Sequence, residues 1–91
     1  MRIARRIRDL PGLGPVTERQ FAELGIGSAD ALLQLSPLAA YSMLKHRFGR
    51  QVSLNALYAL DCAFTDTHWR DQTAERRAEL KAEAAQLVRK R

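Results

Sequence analysis

The stretch from Leu54 to Phe64 constrains this chain more than any other. Leu54, Ala56, Leu57, Tyr58, Ala59, Leu60, Cys62, Ala63 and Phe64 leave Asn55 and Asp61 as its strongly polar positions. No alternation of period two runs through it, and Ser53 just ahead is a residue type that caps helix N-termini, so the stretch predicts a helix. A helix apolar almost all round is a buried one, and the other elements must pack around it. With 91 residues the chain has room for one domain and one hydrophobic core.

The surrounding segments carry signals at their ends. Ile3, Ile7 and Leu10 recur at helical spacing while Arg2, Arg5, Arg6 and Arg8 fill the other faces, which predicts a short basic amphipathic helix over residues 2–10. Pro11 stops it, because proline disfavours the helical conformation at Leu10, and Gly12 and Gly14 allow a turn with unusual dihedrals. Pro15 suits the first position of a second helix, with Phe21 and Leu24 on its inner face and Gly25 as its C-terminal cap. Ser28 caps a third segment that offers Ala29, Leu32, Leu33 and Leu35 for burial. Ser36-Pro37 opens a fourth, with Tyr41, Leu44 and Phe48 on one side and Gly49 at its end. Beyond the hub, residues 65–72 read as a connection anchored by Trp69, and Thr73 caps a long last helix reaching about Lys90. The expected fold is all-α: a compact bundle of five or six helices with a long C-terminal helix. The apolar stripe of that last helix (Leu80, Ala84, Leu87 and Val88) is thin for its length, so its end is expected to project, fray, or pack against a second copy or a partner protein.

Composition narrows the function classes. The chain is 46% hydrophobic and 27% charged with a net charge of +5, the balance of a folded globular domain with a bias toward anionic partners. Much of the excess sits in the N-terminal arginines. Cys62 is the lone cysteine, so no internal disulfide forms, and no apolar run is long enough to span a membrane; the cytoplasm is the expected location. His46 and His68 lie far apart, Cys62 sits on the buried helix, and no Cys or His cluster has zinc-like spacing; Asp66, His68 and Asp71 sit together before the last helix, a proximity of carboxylate and imidazole that is frequent by chance. No catalytic residue, metal or cofactor is expected, and the chain reads as a non-enzyme.

The candidate binding motif is Leu10-Pro11-Gly12-Leu13-Gly14-Pro15-Val16-Thr17. Two glycines flank an apolar plug just before a helix N-terminus, where free N–H groups and the positive dipole end attract a phosphate. Gly12 and Gly14 shape the turn, Gly14, Val16 and Thr17 supply N–H donors, and Arg19 with Arg2, Arg5 and Arg6 surrounds them. Such contacts hold a nucleic-acid backbone without reading its sequence. The same residues also make plain interhelical turns, and the basic arm also reads as a solvated helix face. Phe21, Tyr41, Phe48, Tyr58 and Phe64 fall on predicted inner faces, where they pack rather than stack on bases.

Taken together, Leu13-Gly14-Pro15, Leu24-Gly25-Ile26, Ala40-Tyr41 with Leu44, Val52-Ser53-Leu54-Asn55, Leu57-Tyr58-Ala59-Leu60 and His68-Trp69 resemble the C-terminal domain of the TfoX (Sxy) family of bacterial competence regulators. The resemblance runs over roughly residues 10–80, and its most specific part is the Val52–Leu60 run followed by His68-Trp69. It implies a helix-hairpin-helix or SAM-like helical fold and a role in regulating DNA-uptake genes, with nucleic acid or a transcriptional regulator as partner and no catalytic residue. Two departures accompany it: the sequence carries no counterpart of the N-terminal domain of full-length regulators, and Val16 stands where a lysine is common.

Overall fold

The computed structural model describes residues 6–89, with side chains to residue 87. Within them the chain is all-α. Five α-helices follow in order: α1 (Pro15–Glu23), α2 (Ala29–Leu33), α3 (Pro37–Phe48), α4 (Leu54–Thr65) and α5 (Ala74–Arg89). Single 3₁₀ turns cover Ile7–Asp9, Gly49–Gln51 and Trp69–Asp71.

Local chemistry accounts for most of the boundaries. The Ser28 and Ser36 hydroxyls accept from the amides of Ala31 and Ala39 at 3.2 and 3.1 Å, and Thr73 accepts from the amide of Arg76 at 3.0 Å. Each hydroxyl satisfies a donor that the first helical turn leaves orphaned. At the end of α1, Gly25 adopts φ +86°; its amide donates to the Ala22 carbonyl at 3.0 Å and that of Ile26 to Phe21 at 2.9 Å. That is a Schellman closure, with Ile26 tucked into the core as its hydrophobic clasp. Ser53 stands at the N-cap of α4 but its hydroxyl makes no cap bond.

Around α4 the core assembles as its apolar composition demands. Leu57 and Leu60 are fully covered, packed with Leu44 and Tyr41 of α3, Phe21 of α1, Leu32 of α2 and Leu80 of α5. Ile7, Leu10 and Leu13 close the same core from the N-terminal side. The basic helix expected over residues 2–10 is, in its described part, only the 3₁₀ turn Ile7–Asp9; residues 1–5 lie outside the described residues. A local bond shortens it: the Arg6 amide donates to the Asp9 carboxylate at 3.1 Å, and Leu10, ahead of Pro11, is extended.

One polar side chain enters the hub. Asp61 is buried on α4, where Oδ1 accepts from Arg76 Nη2 at 2.7 Å and Oδ2 accepts from Arg76 Nε at 3.1 Å and Gln72 Nε2 at 3.3 Å. The two-pronged contact matches the planar guanidinium to the carboxylate and holds the Arg76 positive charge still more firmly than usual. Gln72 also donates to the Tyr58 carbonyl at 3.0 Å and accepts from Arg77 Nε at 3.1 Å. The start of α5 is thereby fastened to the middle of α4.

Candidate nucleic-acid interface

The glycine hairpin is pressed against the hub. Gly12 has φ +81°, and a Cβ on it would stand 3.2 Å from the Ala59 carbonyl oxygen and 3.4 Å from the Ala59 Cα. Only glycine satisfies both the left-handed dihedral and the close approach. Leu13 then turns inward as a buried plug, its amide donating to the Leu10 carbonyl at 3.2 Å. Gly14 is the N-cap of α1 and provides no side-chain cap; a Cβ there would meet nothing within 4 Å. No side chain caps the start of α1, and the amides of Val16 and Thr17 stand in its first turn. Val16 is 63% exposed and Thr17 half-buried.

Charge at this corner is organised by Glu18, one turn into α1. Its Oε1 accepts from Arg6 Nη2 and Arg8 Nε, both at 2.9 Å, and its Oε2 from the Arg8 amide at 3.2 Å. Partial burial would by itself raise the carboxyl, but the Arg8 amide and the guanidiniums of Arg8 and Arg6 outweigh it and hold Glu18 below its ordinary value of 4.5. Sequence reasoning missed this clamp, because Glu18 and the arginines meet across a turn. Arg19 is exposed and makes no ion pair among the described residues. Arg2 and Arg5 lie outside them. The hairpin thus brings Gly12, Gly14, Val16, Thr17, Arg6 and Arg8 to one corner, with Arg19 close by on α1.

A second feature adjoins it. Trp69, expected as an anchor, is instead 58% exposed, because its 3₁₀ turn is held from outside the ring: His68 Nδ1 accepts from the Arg70 amide at 3.1 Å and Gln72 fastens the following residues to α4. The Arg70 guanidinium lies 5.7 Å from the Trp69 ring centre and that of Arg77 5.7 Å from the Tyr58 ring, both within cation–π range. Trp69, Tyr58, Arg77, Gln72, Asn55 and Gly12 line a cavity of about 240 Å³. Gly12 belongs to both the hairpin and this cavity wall.

The stripe of α5 divides. Leu80, 1% exposed, is a core residue and Ala84, 7% exposed, is nearly covered, which corrects their assignment to a partner surface; α5 packs back onto α3 and α4 and uses them itself. Ala84 and Leu87 border a groove of about 430 Å³ against Tyr41, Met43, Lys45 and His46 of α3. The Val88 side chain lies outside the described ones. Burial pushes the Cys62 thiol above its usual 9.0, the Asp61 charge adds to this, and Arg77 partly offsets it; such a thiol is a protonated core group at neutral pH. Among the described residues no group of three or more His, Cys, Asp or Glu side chains is placed to hold a metal ion, and no helix is long and apolar enough to cross a membrane.

Residues 3–84 match the TfoX C-terminal domain family. The chain belongs to that family. One relative is the DNA transformation protein TfoX1 of Aliivibrio fischeri (strain ATCC 700601 / ES114), 28% identical over 65 residues, which are 71% of this chain and 31% of that protein; this TfoX-type domain spans about a third of that relative. Two solved structures from Listeria monocytogenes share the fold. An uncharacterized protein superposes with a TM-score of 0.80 at 24% identity, covering 90% of this chain and 92% of its own. A protein of unknown function gives 0.76 at 25% identity, covering 84% and 93%.

Proposed function

We propose that this TfoX-type domain is a non-catalytic regulatory binding module of the cytoplasm, acting in DNA uptake or its transcriptional control by contacting nucleic-acid phosphates at the glycine hairpin. The uncapped start of α1 at Gly14 carries the reading: an anion there meets first-turn amides that no side chain caps and the positive helix end. Arg6, Arg8 and Arg19 leave the corner net positive despite Glu18. The relative's description as a DNA transformation protein and the family membership support the same reading. Contacts of this kind are independent of base sequence and weaken with salt.

Titration of a labelled duplex at two salt concentrations tests it. Binding that loosens as salt rises, and drops further in Arg19→Glu, is the expected outcome; no binding at low salt overturns it. A second reading has one observation in its favour. The α3–α5 groove is bordered by Lys45 and His46, while Glu75, Glu79 and Glu83 are exposed on α5, a complementary pairing for a second copy of the chain. A concentration-dependent dimer lost in Leu87→Asp, with DNA having no effect, replaces the first reading by this one.

A further inference from the structure

We infer that the cavity beside the hairpin receives one unpaired nucleobase of a single strand, stacked against Trp69, so that the module prefers single-stranded to duplex DNA. The inference rests on the hairpin holding the phosphate backbone. Four observations lead to it. Trp69 is 58% exposed although burial of so large an apolar ring is the norm, and the indole area left beside the neighbouring Arg70 guanidinium and His68 ring offers what a base stacks on. In the same lining, Arg77 lies over Tyr58 and is pinned by Gln72, a fixed planar cation of the kind that stacks on bases in single strands. The residues lining the cavity include no carboxylate but do include the side-chain amide of Asn55, which suits a neutral, hydrogen-bonding base rather than a cationic ligand, while the Gln72 amide is held by Tyr58, Asp61 and Arg77. Its volume, about 240 Å³, falls below the roughly 300–1,000 Å³ of sites for drug-sized molecules, so one ring system fills it.

Position completes the case. Gly12 forms cavity wall and hairpin together, and Gly12 and Gly14 are at most roughly 7 Å apart along the chain. A strand whose phosphate sits at the start of α1 therefore passes the cavity mouth. In a duplex the base is paired and stacked, and entering the cavity costs its extrusion.

Trp69 is the sole tryptophan, so its own fluorescence reports occupancy. The full chain is titrated with an oligothymidine and with a duplex of equal length, alongside anisotropy of labelled strands with Trp69→Ala, Trp69→Phe and Arg77→Met. Saturable quenching by the single strand, weaker quenching by duplex, and a loss of single-strand affinity of about 5- to 150-fold in Trp69→Ala, largely restored in Trp69→Phe, are expected. Trp69→Ala should keep wild-type helical circular dichroism, since its side chain is mostly outside the core; Arg77→Met, which also releases Gln72, is read only where its circular dichroism is native. Equal affinity for both DNA forms with no effect of Trp69→Ala overturns the cavity assignment and leaves the hairpin reading standing. Absence of binding to either form at low salt overturns the hairpin reading, and this inference with it.

Discussion

Removing Arg76 should harm this fold more than removing Asp61, although the two make one contact. The Asp61 side chain is 4% exposed and that of Arg76 40%. In Arg76→Met the carboxylate stays inside α4 with the Gln72 amide at 3.3 Å as its remaining donor. In Asp61→Asn the shape is kept and the released guanidinium can turn to water. Stripping one partner from a fully buried pair costs about 3–5 kcal/mol; with one partner partly solvated, about 2–3 kcal/mol is expected for Arg76→Met. A lost hydrogen-bonded charge whose partner reaches solvent puts Asp61→Asn nearer about 1–2 kcal/mol. For a domain of this size each kcal/mol moves Tm by about 4–8 °C, so Arg76→Met should melt roughly 10–20 °C below wild type and Asp61→Asn roughly half as far below. Thermal and urea unfolding followed by helical circular dichroism measure both. The double variant Asp61→Leu with Arg76→Met should recover most of the loss, because it removes both charges and leaves none stranded. A reversed order, or Arg76→Met within about 0.5 kcal/mol of wild type, refutes the reasoning.

Further outcomes follow from the same structure. Gly12→Ala should cost about 1–2 kcal/mol for its left-handed dihedral alone and more for the Ala59 contact, so its urea midpoint should fall below that of Gly25→Ala, whose site is open; Gly14→Ala should stay within about 0.5 kcal/mol. The folded Glu18 carboxyl lies below its ordinary value of 4.5, so its stabilisation is present above that pH and lost as pH falls through the lower folded value; wild type and Glu18→Gln should differ in Tm at neutral pH and converge in acid. Glu18→Gln should also tighten low-salt DNA binding by releasing Arg6 and Arg8, as read by anisotropy. Ser36→Ala should lose about 1 kcal/mol, measured by urea unfolding, and Ser53→Ala clearly less, because Ser53 makes no cap bond.

Helix number, order and most boundaries are legible in the amino-acid sequence because caps and stops are local. Ser28, Ser36 and Thr73 each bond an amide three residues on, and Gly25 and Pro37 act through their own dihedrals. The hub is legible too, since an apolar stretch from Leu54 to Phe64 has nowhere to go but inside, and the short motifs running from Leu13 to Trp69 carry the family likeness. The site is legible only as a turn type. That Gly12 touches Ala59, that Glu18 gathers Arg6 and Arg8, that Asp61 goes inward and that Trp69 stays out all depend on how α4 and α5 cross and where the hairpin lands. Asp61 and Arg76 are 15 residues apart, and no spacing rule along one helix brings such a pair together. Leu80 and Ala84 make the same point: their helical spacing marks an apolar stripe, but whether it meets a partner or this chain's own core is decided by the packing of α5 against α3 and α4.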